Sequence, residues 1–231
     1  MHTPRSPHRW SVTPKRALAI QREFAARVVT RGRIGDLRLV AGADLAFSVD
    51  GSDCIAGVVV WDVANREVIE QRVARRPARF PYIPGLLSFR EVPALLAAIR
   101  KLQTVPDAFM FDGQGYAHPR RFGLACHAGV IMDRPAIGCA KSRLVGHHAQ
   151  PDEHAGSVSW LTDHSERIGA VVRTRDGVKP VYVSLGHRLS LAEAVRIVQA
   201  CTTRFRLPEP TRLADKLVAR RKKGDRSSVG D

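Results

Sequence analysis

Residues 37–75 read LRLVAGADLAFSVDGSDCIAGVVVWDVANREVIEQRVAR. They hold three runs with strand character, at 37–48, 54–63 and 67–75. The third alternates apolar and polar residues, as a half-exposed strand does. Asp50-Gly51 is a hairpin turn signal, and Ala64-Asn65 supplies a second tight turn. Three strands joined by such short turns predict an antiparallel meander.

Outward from the meander the pattern changes. A proline-rich loop at 75–87 leads into a stretch with helical spacing at 88–103. Residues 105–111 are a short apolar run after a helix, which predicts a buried parallel strand. A helix over 121–132 and a strand over 135–140 follow, and 145–157 reads as a polar loop. Strands are expected at 167–174 and 180–184, with Asp176-Gly177 turning between them. Ser190 and Glu193 form a capping-box signature for a helix at 190–201. Pro208 and Pro210 precede a last helix at 212–221, and another helix lies ahead of the meander at 15–31. The reading is α/β, one mixed sheet with helices on its faces. It divides the chain into a basic, partly helical segment 1–36, a single domain 37–221, and a polar, frayed tail 222–231.

Composition bounds the function. Of 231 residues, 44% are hydrophobic and 26% charged, so the chain can bury a core. No apolar run approaches the ~18 residues of a membrane span. The first twenty residues lack the apolar stretch of a secretory signal. Cys54, Cys126, Cys139 and Cys201 are scattered, with no C-x-x-C pair, which predicts small buried hydrophobes in a reducing cytoplasm. Lys and Arg number 37 against 22 Asp and Glu, a net charge of +15. The pI near 10.7 is the electrostatic footprint of a nucleic-acid binder.

Several residues stand out chemically. Asp44 lies inside an apolar strand, and Asp112 ends the next apolar strand ahead of Gly113. Buried acids need a partner, and two on one sheet can share a hard cation; a turn acid and a capping acid are the equal alternative. Glu91 completes a capping box with Ser88, which is slightly favoured, or lies free as ligand or base if Pro93 opens the helix. His118, in a loop made pliable by Gly113 and Gly115, suits phosphate contact, acid–base work or plain packing. Lys141 closes a strand and can meet a phosphate or snorkel to solvent. His187 sits between a strand and a capped helix, where it can serve a site or a loop hydrogen bond. Cys126-His127 lacks a partner for a metal, and the cluster His147, His148 and His154 reads as a solvated loop. In the proline-rich loop, Pro81 and Pro84 stiffen a tip that would hold Tyr82 and Ile83 outward, like the apolar wedges that part or kink nucleic acid, or pack over the core edge.

Taken together, AGADLAFS, FPYIPGLLSFREVPALL, FDGQGYAHPRRFGLACHAGV, IGCAKSRLVG, PVYVSLGHRLSLAEAVRIV and RLPEPTRLAD run in one order from Leu37 to Asp215. In this the chain resembles the endonuclease V family. Gln114 stands where many members have His. The resemblance implies an RNase H-like mixed sheet, a three-strand antiparallel meander continued by parallel strands. It implies an Mg²⁺-dependent enzyme, with Mn²⁺ able to substitute. The enzyme would nick the second phosphodiester 3′ to a hypoxanthine nucleotide and leave 3′-hydroxyl and 5′-phosphate ends. Asp44, Glu91 and Asp112 would hold metal, with Lys141 and His187 as further catalytic groups. Pro81, Tyr82, Ile83 and Pro84 would form the wedge, and Gly85, Leu87, Gly113 and His118 the base pocket. The expected partner is inosine-containing DNA or RNA, met by a cytoplasmic monomer without a membrane. The competing functions are a nuclease of inosine-containing RNA or of branched and flap structures, and a non-catalytic nucleic-acid binder. The retained acids argue against the last.

Overall fold

The structure, a computed structural model, describes residues 4–227, with side chains through Lys222. Its elements in chain order are α1 (Pro14–Ala25), β1 (Leu39–Phe47), β2 (Asp53–Asp62), β3 (Glu67–Pro77), α2 (Ser88–Ile99), β4 (Ala108–Phe111), α3 (Leu124–Met132), β5 (Ala136–Ala140), β6 (Val158–Asp163), β7 (Glu166–Val172), β8 (Val181–His187), α4 (Leu191–Ala200) and α5 (Glu209–Ser227). One eight-stranded sheet runs in the order β3-β2-β1-β4-β5-β8-β7-β6. The meander forms as its turns predict, and β1, β4 and β5 are parallel. Beyond β5 the sheet turns antiparallel again, because β8 runs against β5 and β7 and β6 continue that sense.

The two sheet faces are covered differently. Ala41, Ala43, Phe109 and Phe111 pack beneath α2 and α3. Val40, Met110 and Ile137 share the other core with α4. That second face of β1 also receives α5. A Cβ on Gly42 would lie 2.0 Å from the carbonyl carbon of Pro210, and one on Gly57 would lie 2.8 Å from Val218 Cγ1. Two glycines on neighbouring strands thus let the helix backbone seat directly on the sheet.

Several expected boundaries move. The helix expected over 15–31 stops at Ala25. The chain after it is extended, because its backbone is claimed elsewhere: Val29 N–H donates to His187 and Ile34 N–H to Glu193. Glu193 is therefore turned to Ile34 and Arg196, although Ser190 still caps α4 through Glu193 N–H. Pro93 lies inside α2 instead of opening it, where it forfeits one backbone donor in the helix. The last helix begins at Glu209, takes Pro210 into its first turn, and continues through 222 to Ser227. Of the tail expected at 222–231, residues 228–231 lie outside the described residues. The strand β6 has no counterpart in the sequence reading.

Candidate active site

β4 is only four residues long, whereas β1 runs on to Phe47. Where β4 ends, Asp112 N–H donates to Ala43 O at 3.2 Å, which sets Asp112 beside Asp44. Alternation along β1 places Asp44 on the face of Gly42, the face that receives α5. Lys141 follows β5, the next parallel strand, and its Nζ lies 2.5 Å from Asp112 Oδ2. The same ammonium lies 3.8 Å from Asp215 Oδ1 on α5. Asp215 is a member of this group that the sequence reading missed. It closes the RLPEPTRLAD stretch that carries part of the resemblance, but the charged helix there gave the acid no role of its own.

Glu91 reaches the group from α2. No side chain caps that helix at Leu87. Ser88 Oγ is instead 2.9 Å from the buried His127 Nδ1, whose Nε2 lies 2.7 Å from His8 Nε2. The expected capping box is therefore absent, and Glu91 is left to face the acids. Burial first, and the Asp44 charge second, push its carboxyl up to about 7. Asp44 is also pushed up to about 7, by burial and then by the Asp112 charge. Burial opposes the Lys141 charge, but the bond to Asp112 and the nearby carboxylates prevail and raise its pKa, so it stays cationic.

Asp112, Glu91 and Lys141 open into a cleft of about 370 Å³ that is also lined by Tyr82, Gly85, Leu87, Gly113 and His118. Tyr82 is 70% exposed at the loop tip. Pro81 and Pro84 are exposed beside it. Ile83 is not held outward: it packs with Phe80 and Leu86, and its carbonyl accepts from Leu86 N–H. Gly85 adopts φ +77°, open to glycine at little cost. Its carbonyl accepts from Gln21 Nε2 at 2.9 Å, Arg120 Nη2 at 2.7 Å and His118 Nε2 at 3.1 Å. Three donors on one oxygen fix this edge of the cleft. His118 Nδ1 accepts from Arg120 N–H, and burial lowers the imidazole to about 4. His118 is thus a neutral wall residue with both nitrogens engaged. Gln21, on α1, gave no warning in sequence.

His187 is not with the acids. Because β8 is antiparallel to β5, its last residue pairs with Ala136 at the start of β5, at the opposite edge of the sheet from Lys141. There it accepts from Val29 N–H and donates to Asp133, each at 3.2 Å. The four cysteines are free and buried. Among the described residues, no three His, Cys, Asp or Glu side chains already converge as a chelate. The chemistry of the set nevertheless fits a hard divalent cation. Its donors are carboxylate oxygens, and in two of them burial and mutual repulsion, which a cation relieves, push the pKa up to about 7.

The family model for endonuclease V matches residues 22–216 of the chain. The endonuclease V of Trichormus variabilis is 49% identical over 216 residues, which is 93% of this chain and 98% of that protein. The crystal structure of endonuclease V from Streptomyces avermitilis superposes with a TM-score of 0.89 at 40% identity, covering 97% of this chain and 99% of that one. Endonuclease V of Ciona intestinalis, in complex with a 24mer DNA containing an inosine followed by a ribo-adenosine, gives a TM-score of 0.79 at 25% identity over 91% of this chain and 98% of that one.

Proposed function

This chain belongs to the endonuclease V family, hydrolases that cleave inosine-containing DNA 3′ to the lesion, and from that premise we propose the bond it cuts, the metal it uses and the residues that do the work. The bond is the second phosphodiester 3′ to the deoxyinosine, and the ends left are a 3′-hydroxyl and a 5′-phosphate. The observation that carries the assignment is the meeting of Asp112, Glu91 and Lys141 with the exposed Tyr82 around one cleft.

Asp44, Glu91 and Asp112 would hold Mg²⁺, or Mn²⁺ in its place, and Asp215 would add a fourth carboxylate from α5. When bound, the metal supplies a Lewis acid and an activated water. Lys141 keeps its charge and turns from Asp112 to the scissile phosphate, where it stabilises the charge that develops in the transition state. Tyr82 stacks where the strand is parted. Gly85, Leu87, Gly113 and His118 enclose the extruded base, and the tightness of that wall rejects the exocyclic amines of adenine and guanine. His187 takes no part.

The test is incubation of single- and double-stranded oligonucleotides carrying one inosine, in DNA and in RNA, with Mg²⁺, followed by mapping of the cut. Cleavage one bond beyond the lesion is expected. Removal of the base, or cutting indifferent to inosine, would refute the reading. A second substrate, an inosine-containing strand with ribose on its 3′ side, is favoured by the ligand of the Ciona protein.

A further inference from the structure

A second cleft, of about 290 Å³, lies on the other side of α2. The first turn of that helix divides the two. Ser88 and Glu91 line the acidic cleft, whereas Phe89, Arg90 and Pro93 line this one. Its floor is Phe80 and Phe89, both buried, and Trp10 stands at its side. Its rim carries Arg76, Arg79, Arg90 and Arg100, and among the described residues none that lines it is acidic. Arg90 is occupied by the carbonyls of Phe80 and Gly51, and Arg100 donates to Pro4. Arg76 and Arg79 are exposed, and among the described residues their guanidinium groups have no hydrogen-bond or ion-pair partner. Unneutralised guanidinium groups beside the half-buried Trp10 suit a nucleotide, with its phosphate on the cations and its ring against the indole.

We propose that this cleft holds the backbone of the strand opposite the lesion, with Arg76 and Arg79 on its phosphates and Trp10 against a nucleotide. The inference rests on the proposed function. The loop that ends in Tyr82 rises between the clefts, with Phe80 at its root in one and Tyr82 and Pro84 in the other. Strands parted at Tyr82 leave on its two sides. The inosine strand is committed to the acids, so the strand over Arg76 and Arg79 is its complement.

The test is the Arg76→Gln/Arg79→Gln variant, with binding measured in Ca²⁺ to an inosine duplex and to the same inosine strand alone. The duplex dissociation constant is expected to rise roughly tenfold, and its log–log salt slope to fall by about 1.8, two phosphates at about 0.9 each. Affinity for the single strand and its Mg²⁺-dependent nicking are expected to stay at the wild-type level, as is the melting temperature. Equal weakening on both substrates would overturn the assignment to the opposite strand. No weakening on either would overturn the site. Failure of the wild type to nick the single strand would instead count against the proposed function, because the binding comparison does not depend on it.

Discussion

A carboxylate buried beside another carboxylate is costly as an anion, and Asp44 and Glu91 show that cost as pKa values near 7. The residues that would hold a cation are thus the ones that resist ionising without it. The Asp112→Asn variant keeps the shape and removes the charge, so metal-dependent nicking is expected to fall by several orders of magnitude while inosine-strand binding survives. Gel shift and cleavage on one preparation decide it; near wild-type nicking would reject the acid as a ligand. The pH dependence has a definite sign. Unfolded, the two carboxyls release their protons near 3.8 and 4.5, whereas folded and metal-free they hold them to about 7. Their contribution to stability is therefore present below the lower range and lost as pH rises through about 7. A cation must displace those protons, so the rise in melting temperature on adding Mg²⁺ is expected to be larger at about pH 8 than at about pH 6. An Mg²⁺ shift independent of pH would mean that other groups bind the metal. The single acids were legible in sequence because a charge within an apolar strand is conspicuous. Asp215 was not, since a carboxylate on a charged helix is indistinguishable from a solvated one until Lys141 is seen beside it.

Elements decide which of those residues can meet. The loop before α2 is stiffened by two prolines and tied down by three hydrogen bonds to Gly85, and it leaves Tyr82 free at its tip. Tyr82→Ala is expected to weaken inosine-strand binding by about 1–3 kcal/mol, the worth of one base–aromatic stack, with no change in melting temperature. A lower melting temperature with full binding would make the residue a packing group. Strand direction has the opposite lesson. The resemblance counted His187 with the catalytic groups, which a place after a parallel strand would allow, but β8 is antiparallel, and nothing in the forty residues between β5 and β8 declares that. His187→Gln is expected to cost about 1 kcal/mol of stability through the lost contacts to Val29 and Asp133. Single-turnover cleavage is expected to be unchanged, and a slower chemical step would return the residue to the catalytic set. β6 escaped notice for a related reason. The hairpin β6–β7 turns on His164 and Ser165, both with positive φ, so the Asn-Gly or Asp-Gly signature of such a turn is missing.

At the scale of the whole molecule, a net charge of +15 makes binding a matter of ion release. The logarithm of the inosine-duplex affinity is expected to fall linearly with the logarithm of salt, by about 0.9 per phosphate engaged. An affinity indifferent to salt would remove electrostatics from recognition. The meander and its parallel continuation were readable because local turns and apolar runs encode them. The long-range closures were not, since they join residues far apart in the chain. One such closure has a consequence for how the protein comes into being. Asp44 lies on the first strand, but α5, which seats on Gly42 and brings Asp215 to Lys141, follows every other element among the described residues. A chain leaving the ribosome folds from its N-terminus onward. It therefore carries the meander, the wedge loop and three of the acids while the fourth is still inside the exit tunnel. Nuclease activity on this reading waits for α5, and a copy made only as far as β8 can neither finish the acidic site nor nick a strand it happens to meet.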